Sequence, residues 1–190
     1  MKVDEIGLPG VLAITPRRFG DDRGFFSETY NRKAFAEAGV DVEFIQDNHS
    51  MSAEVGTVRG LHFQAPPFAQ AKLVRVVRGR IYDVAVDSRV GSPSFGKHAG
   101  LELTASGGEQ LFVPAGFLHG FITLEPNTEV VYKVDNHYSR DHDGAVRFDD
   151  PDLEIDWGPH AANTVLSDKD ATAQSWRAFS SPFDYSRAVR

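Results

Sequence analysis

The chain has 190 residues, 41% of them hydrophobic and 25% charged, with a formal charge of −7 and no cysteine. That length suffices for one globular domain with a buried core, and the missing cysteine excludes disulfides and thiolate metal centres. The acidic balance argues against a nucleic-acid binder, which needs a basic face, but a local arginine and lysine cluster could still meet an anionic small molecule.

The N-terminal stretch MKVDEIGLPGVLAI lacks the basic and apolar regions of a signal peptide. No apolar run approaches the roughly 20 residues that span a membrane. A cytoplasmic protein is therefore expected. Along the chain, strands are predicted at VLAITPRRF (11–19), GFFSETY (24–30), GTVRGLHFQ (56–64), AKLVRVV (71–77) and IYDVAVD (81–87). GLELT (100–104), EQLFVPAGFLHGFITL (109–124) and EVVYKVDNHY (129–138) continue the series. A helix is predicted at NRKAFAEAG, with Asn31 as N-cap and Gly39 as C-cap, and a second short one within SDKDATAQSWRAF. The segment DDPDLEIDW (149–157) reads as an ordered, turn-rich stretch whose Trp157 docks on the core. Many short strands at this spacing predict a mainly β fold, a closed jelly roll with a few short peripheral helices, over residues 1–190.

Strand alternation then sorts side chains by face. Lys72 shares a face with Val74 and Val76, and Tyr132 with Val130 and Val134. Phe117, His119 and Phe121 line up, as do Val58, His62 and Gln64. Arg59 falls on the opposite face unless Gly60 marks a bulge that re-aims it. His62, Lys72, His119 and Tyr132 are thus candidates for one barrel interior. Each has a plainer reading: an edge-strand lysine, a structural histidine, a core tyrosine. Arg23, Arg59 and Lys169 read singly as surface charges, and Asp170 as an acid at a helix N-terminus.

A metal ion wants three or four converging His, Asp, Glu or Cys ligands. The sequence offers a lysine and a glutamine beside its two histidines, so no metal is expected. An apolar barrel with a histidine, a lysine and a tyrosine suits proton abstraction beside a carbonyl. The histidine is a base near neutral pH, the ammonium stabilises the enolate oxygen, and the tyrosine returns a proton to the other face. An acidic partner would orient the histidine; Asp170 is a candidate, though nothing local places it there. With no GxGxxG fingerprint, no redox cofactor is expected either.

The stretches DDRGFFSETY, FIQDNHSMS, GTVRGLHFQAPP, QAKLVRVVRGRIYDVAVDSRVGSPSFG, FVPAGFLHGF, VVYKVDNHYS, FDDPDLEIDW and LSDKD resemble the dTDP-4-dehydrorhamnose 3,5-epimerases, a metal-independent family of the cupin superfamily. The most specific are RGLHFQ, QAKLVRVVRGRIYDVAVD and PAGFLHGF together. The resemblance implies a cupin-type jelly roll that converts dTDP-4-dehydro-6-deoxy-D-glucose to dTDP-4-dehydro-6-deoxy-L-mannose without cofactor. It implies His62 as the base at C3 and C5, oriented by Asp170, with Lys72 on the enolate and Tyr132 as proton donor at C5. Arg23, Glu28, Gln46, Asp47, Asn48, Arg59 and Lys169 match positions that hold the pyrophosphate or nucleotide, and His119 matches a sugar-site position. A homodimer is implied, its N-terminal strands crossing to the partner so that Arg23 acts on the neighbouring site. Two residues depart from the pattern: Phe63 replaces a usual tyrosine, and Asp143 a usual glutamate that contacts the nucleotide. Three other readings stand beside this one: an epimerase acting at C3 or C5 alone, a metal-dependent cupin enzyme, and a sugar-binding module without chemistry.

Overall fold

The computed structural model describes residues 1–187. Its strands, in chain order, are β1 (Lys2–Glu5), β2 (Leu12–Thr15), β3 (Arg18–Asp21), β4 (Gly24–Ser27), β5 (Gln46–Ser52), β6 (Val58–Gln64) and β7 (Lys72–Arg78). They continue as β8 (Arg80–Asp87), β9 (His98–Thr104), β10 (Gln110–Val113), β11 (Phe117–Thr123), β12 (Thr128–Val134) and β13 (Asp143–Ala145). Two short α-helices, α1 (Arg32–Glu37) and α2 (Asp168–Ala171), lie outside the sheets.

One sheet runs β1-β2-β10-β7-β12-β5 and the other β13-β6-β11-β8-β9; β3 and β4 form a separate hairpin. The named strands pair antiparallel throughout. The two large sheets enclose Val74, Val76, Ile81, Ala85, Leu103, Leu111, Phe117, Phe121 and Val130, the jelly-roll core that the strand spacing predicts. Lys72 begins the same strand face as Val74 and Val76, so it is carried to the rim of that interior.

Outside the second sheet, Leu61, Val84, Val86, Leu118 and Ile122 pack on Phe148, Leu153 and Trp157. The Trp157 indole N–H donates to the Phe148 carbonyl at 2.8 Å, docking that segment as expected. Helix α1 lays Phe35 on Leu73 and Phe112 of the first sheet. Asn31 caps it, accepting from Ala34 N at 3.2 Å. Its C-cap is Ala38 rather than Gly39; the glycine follows at φ +96, where a left-handed backbone leaves the helix.

Three strands were not legible as such in the sequence. β5 reads QDNHSMS, a polar strand held by its full register with β12, while β1 and β13 are short. The predicted strand at 11–19 is two strands parted at Pro16, and that at 109–124 is β10 and β11 joined through Pro114 and Gly116.

The Gly60 bulge decides how β6 faces the interior. Register shifts between His119/His62 and Phe121/Arg59, so Arg59 joins His62 on the inner face. Val58, expected beside His62, instead packs in the outer layer opposite Ile122. Gly60 has φ +135, and a Cβ there would lie 2.5 Å from the Gly120 Cα and 2.8 Å from the His119 carbonyl oxygen. Gly60→Ala should therefore cost more than about 3 kcal/mol, read as a lowered urea midpoint. An unchanged midpoint would refute the close approach.

Candidate active site

A cavity of about 320 Å³ opens between the sheets, lined by Arg59, His62, Lys72, His119, Phe121, Tyr132 and Asp170 among others. A second compartment of about 210 Å³ shares His62, Lys72 and Tyr132 and adds Gln46, Asn48, Tyr138, Asp143 and Lys169. The first has apolar walls at Phe121, Val165 and Leu166; the second is lined mostly by polar side chains. A small ring with a long polar appendage fits such a pair.

β6 and β11 set His62 directly opposite His119. β7 brings Lys72, and β12 brings Tyr132, paired with Val74 on one side and Asn48 on the other. Asp170 comes from α2, whose N-cap Ser167 accepts from Asp170 N. The His62 Nε2–H donates to Asp170 Oδ1 at 2.5 Å, and the Ser167 hydroxyl donates to Asp170 Oδ2 at 2.8 Å. With Nε2 so engaged, the basic lone pair of a neutral His62 is on Nδ1.

Electrostatics favour that neutral form. Burial holds the His62 imidazole below its usual pKa, outweighing the hydrogen bond and charge of Asp170, while the nearby Lys72 and Lys169 charges push the same way. Burial works to raise the Asp170 carboxyl, but bonds from His62 and Ser167 and the charges of His62 and Lys169 hold it below the usual range. Burial pulls the Lys72 ammonium down to about 8, against the charges of Asp83 and Asp143. The Tyr132 phenol is raised, chiefly by burial, so it keeps its proton at neutral pH.

Of the binding residues expected from the sequence, Arg59, His119, Gln46, Asn48, Asp143 and Lys169 line the two compartments. The Arg59 guanidinium donates to the Ser52 hydroxyl at 3.3 Å and the Met51 carbonyl at 3.1 Å. Lys169 pairs with Asp143 at 2.5 Å. Three residues are not brought there. Asp47 alternates to the opposite face of β5 and pairs with Lys133 at 2.8 Å. Glu28 is exposed, and Arg23 sits at the tip of the β3–β4 hairpin, paired with Asp21 at 2.5 Å.

Sequence reasoning missed Asp83, Ser167 and Tyr138. Asp83 is wholly buried and accepts from His119 Nε2 at 2.6 Å. Its signal was an acid on the inward face of IYDVAVD, between Ile81 and Ala85. The Tyr138 hydroxyl donates to Asp143 at 3.3 Å. Gln64 is used structurally: its amide donates to the Phe68 and His137 carbonyls and accepts from Ser139 N. Both cavity histidines are committed through Nε2 to a carboxylate and share the cavity with an ammonium. That donor set does not suit a dication.

Residues 5–178 match the family model for dTDP-4-dehydrorhamnose 3,5-epimerase. A dTDP-4-dehydrorhamnose 3,5-epimerase from Sinorhizobium fredii is 49% identical over 97% of this chain and 94% of its own length. The structure of one from Bacillus anthracis, with TDP and PPi bound, has a TM-score of 0.89 at 50% identity, covering 92% of this chain and 98% of that one. A 3'-monoepimerase from Streptomyces bikiniensis, in complex with dTDP-quinovose, is more distant at 32% identity and a TM-score of 0.83, covering 90% and 85%.

Proposed function

The chain belongs to the dTDP-4-dehydrorhamnose 3,5-epimerase family, and from that premise we propose how its cavity performs the reaction. It is an isomerase of the cupin fold in dTDP-rhamnose biosynthesis, epimerising dTDP-4-dehydro-6-deoxy-D-glucose at C3 and C5. The C4 ketone acidifies the hydrogens on both neighbouring carbons. His62 Nδ1 removes each in turn, and the electron pair moves onto the C4 oxygen. Lys72 meets that oxygen as an ammonium; Tyr132 returns a proton to the opposite face at C5, and a solvent proton does so at C3. Asp170 fixes the imidazole and stabilises it once protonated. The observation that carries this reading is the His62–Asp170 pair sharing one cavity with Lys72 and Tyr132.

The sugar fits the compartment with apolar walls, and the nucleotide diphosphate the polar one. Lys169 meets the diphosphate charges within the polar compartment and Arg59 reaches them from the sugar compartment, with Gln46, Asn48 and Asp143 beside the nucleotide. We assign the enzyme to the cytoplasm, where nucleotide-linked sugars are made; among the described residues no helix is long and apolar enough to cross a membrane.

A homodimer accounts for the residues one chain leaves outside. The hairpin exposes Phe19, Phe25 and Phe26, each more than half accessible, and carries Arg23. Crossing to a partner would cover these rings and bring Arg23 to the partner's diphosphate. Light scattering should give twice the chain mass, and Arg23→Ala should raise KM about tenfold with kcat little changed. A monomer with full activity would overturn this.

Two titrations frame the rate. His62 must be neutral and sits below its usual 6.5, so kcat/KM should fall only as pH drops below that value. Lys72 must be charged and titrates at about 8, so kcat/KM should fall again above it. A profile still flat at pH 9.5 would remove Lys72 from the reaction. The direct test is to incubate the protein with the substrate in D2O, without added metal, and follow both carbons by proton NMR. Loss of both signals with formation of the L-manno ketosugar is expected. Exchange at one carbon would indicate the narrower chemistry, and exchange at neither would refute the catalytic reading.

A further inference from the structure

Asp83 lies in mid-β8, fully buried and behind the cavity wall rather than on it. Its Oδ1 accepts from His119 Nε2 at 2.6 Å. Its Oδ2 is buried with no hydrogen-bond partner among the described residues. A buried, half-satisfied carboxylate is costly to keep, and holding one imidazole N–H needs only a neutral acceptor. The full charge therefore calls for a cation that uses it.

Lys72, which lines the same cavity as the Asp83-bound His119, is the cation placed to use it. The titratable and charged groups around it are Asp83 from β8, Asp143 from β13, His62 and Arg59 from β6, His119 from β11, Tyr132 from β12, and Lys169 with Asp170 from α2. Asp170 is engaged by His62 and Asp143 by Lys169. Asp83 exerts the largest attraction of any charge on Lys72, opposing the desolvation that pulls the ammonium down.

We propose that Asp83 is a positioning residue for the epimerisation: without touching the sugar, its buried carboxylate clamps the His119 ring and supplies the counter-charge to Lys72 in the same cavity. This rests on Lys72 being the cation that meets the enolate. One buried anion then serves two walls of the sugar cavity, and its uncoordinated oxygen is the cost of that charge.

The test is Asp83→Asn, which preserves size and an acceptor for His119 but removes the charge. The alkaline limb of kcat/KM should move down by about one pH unit or more, with kcat/KM at pH 7.5 falling about threefold or more. His119→Gln, which leaves the Asp83 charge in place, should raise KM without moving that limb. An unmoved limb in a folded Asp83→Asn variant would overturn the proposal. Where that variant does not fold, Lys72→Met/Asp83→Asn removes both buried charges, and its rate should match Lys72→Met. A double variant more than about tenfold slower would also overturn it, because Asp83 would then act independently of Lys72. Full activity in Lys72→Met alone would instead refute the reading of Lys72, a separate outcome.

Discussion

Replacing His62 with alanine is expected to lower kcat/KM by about 10³- to 10⁴-fold and to abolish deuterium exchange at both C3 and C5. Both hydrogens are activated by the same ketone, so one base serves both and its loss silences both. The Asp170 carboxylate does not replace it, because a carboxylate is a much weaker base than an imidazole and Ser167 and Lys169 still favour its ionised form. Folding should survive: the His62 side chain is 28% exposed, and Asp170 retains its bond from Ser167. Tyr132→Phe should behave differently. Abstraction is intact in that variant, so exchange continues while the C5 stereochemical outcome is lost. A His62→Ala protein that still exchanges either hydrogen would show that the base lies elsewhere.

Lys72→Met is expected to cost about 10²- to 10³-fold in kcat, through loss of several kcal/mol of charge stabilisation on the enolate. Its melting temperature should fall modestly, and that of Lys72→Met/Asp83→Asn should recover, because the single substitution leaves the buried Asp83 carboxylate without its counter-charge. The alkaline limb should disappear along with the ammonium that produces it. A Lys72→Met variant that keeps full kcat would mark Lys72 as structural, though not as an edge-strand lysine, since β7 lies between β10 and β12.

The β architecture was legible because its signals are local. Alternation in KLVRVVR and FLHGFIT records which side chains face the interior, and Asn31 announces a helix start within one turn. β5 was not legible, because QDNHSMS has no apolar face and is a strand only through its register with β12. Alternation likewise misassigned Val58. A one-residue bulge at Gly60 inverts the face of everything before it, and whether a glycine bulges depends on the strand opposite.

For the site, the sequence by itself determined the residue types and hence the chemistry: a histidine, a lysine and a tyrosine on inward strand faces, with a lysine and a glutamine where metal ligands would otherwise stand. Only the tertiary structure decided the partners. Asp170 reaches His62 across 108 positions and Asp83 reaches His119 across 36. Such pairs depend on how distant strands and a four-residue helix pack, and no local periodicity encodes that. The structure likewise separated Gln46 and Asn48, which face the cavity, from Asp47, which the two-residue repeat of β5 turns to the other side. Side-chain direction within a strand is a local property; which strands meet is set by burial over the whole chain.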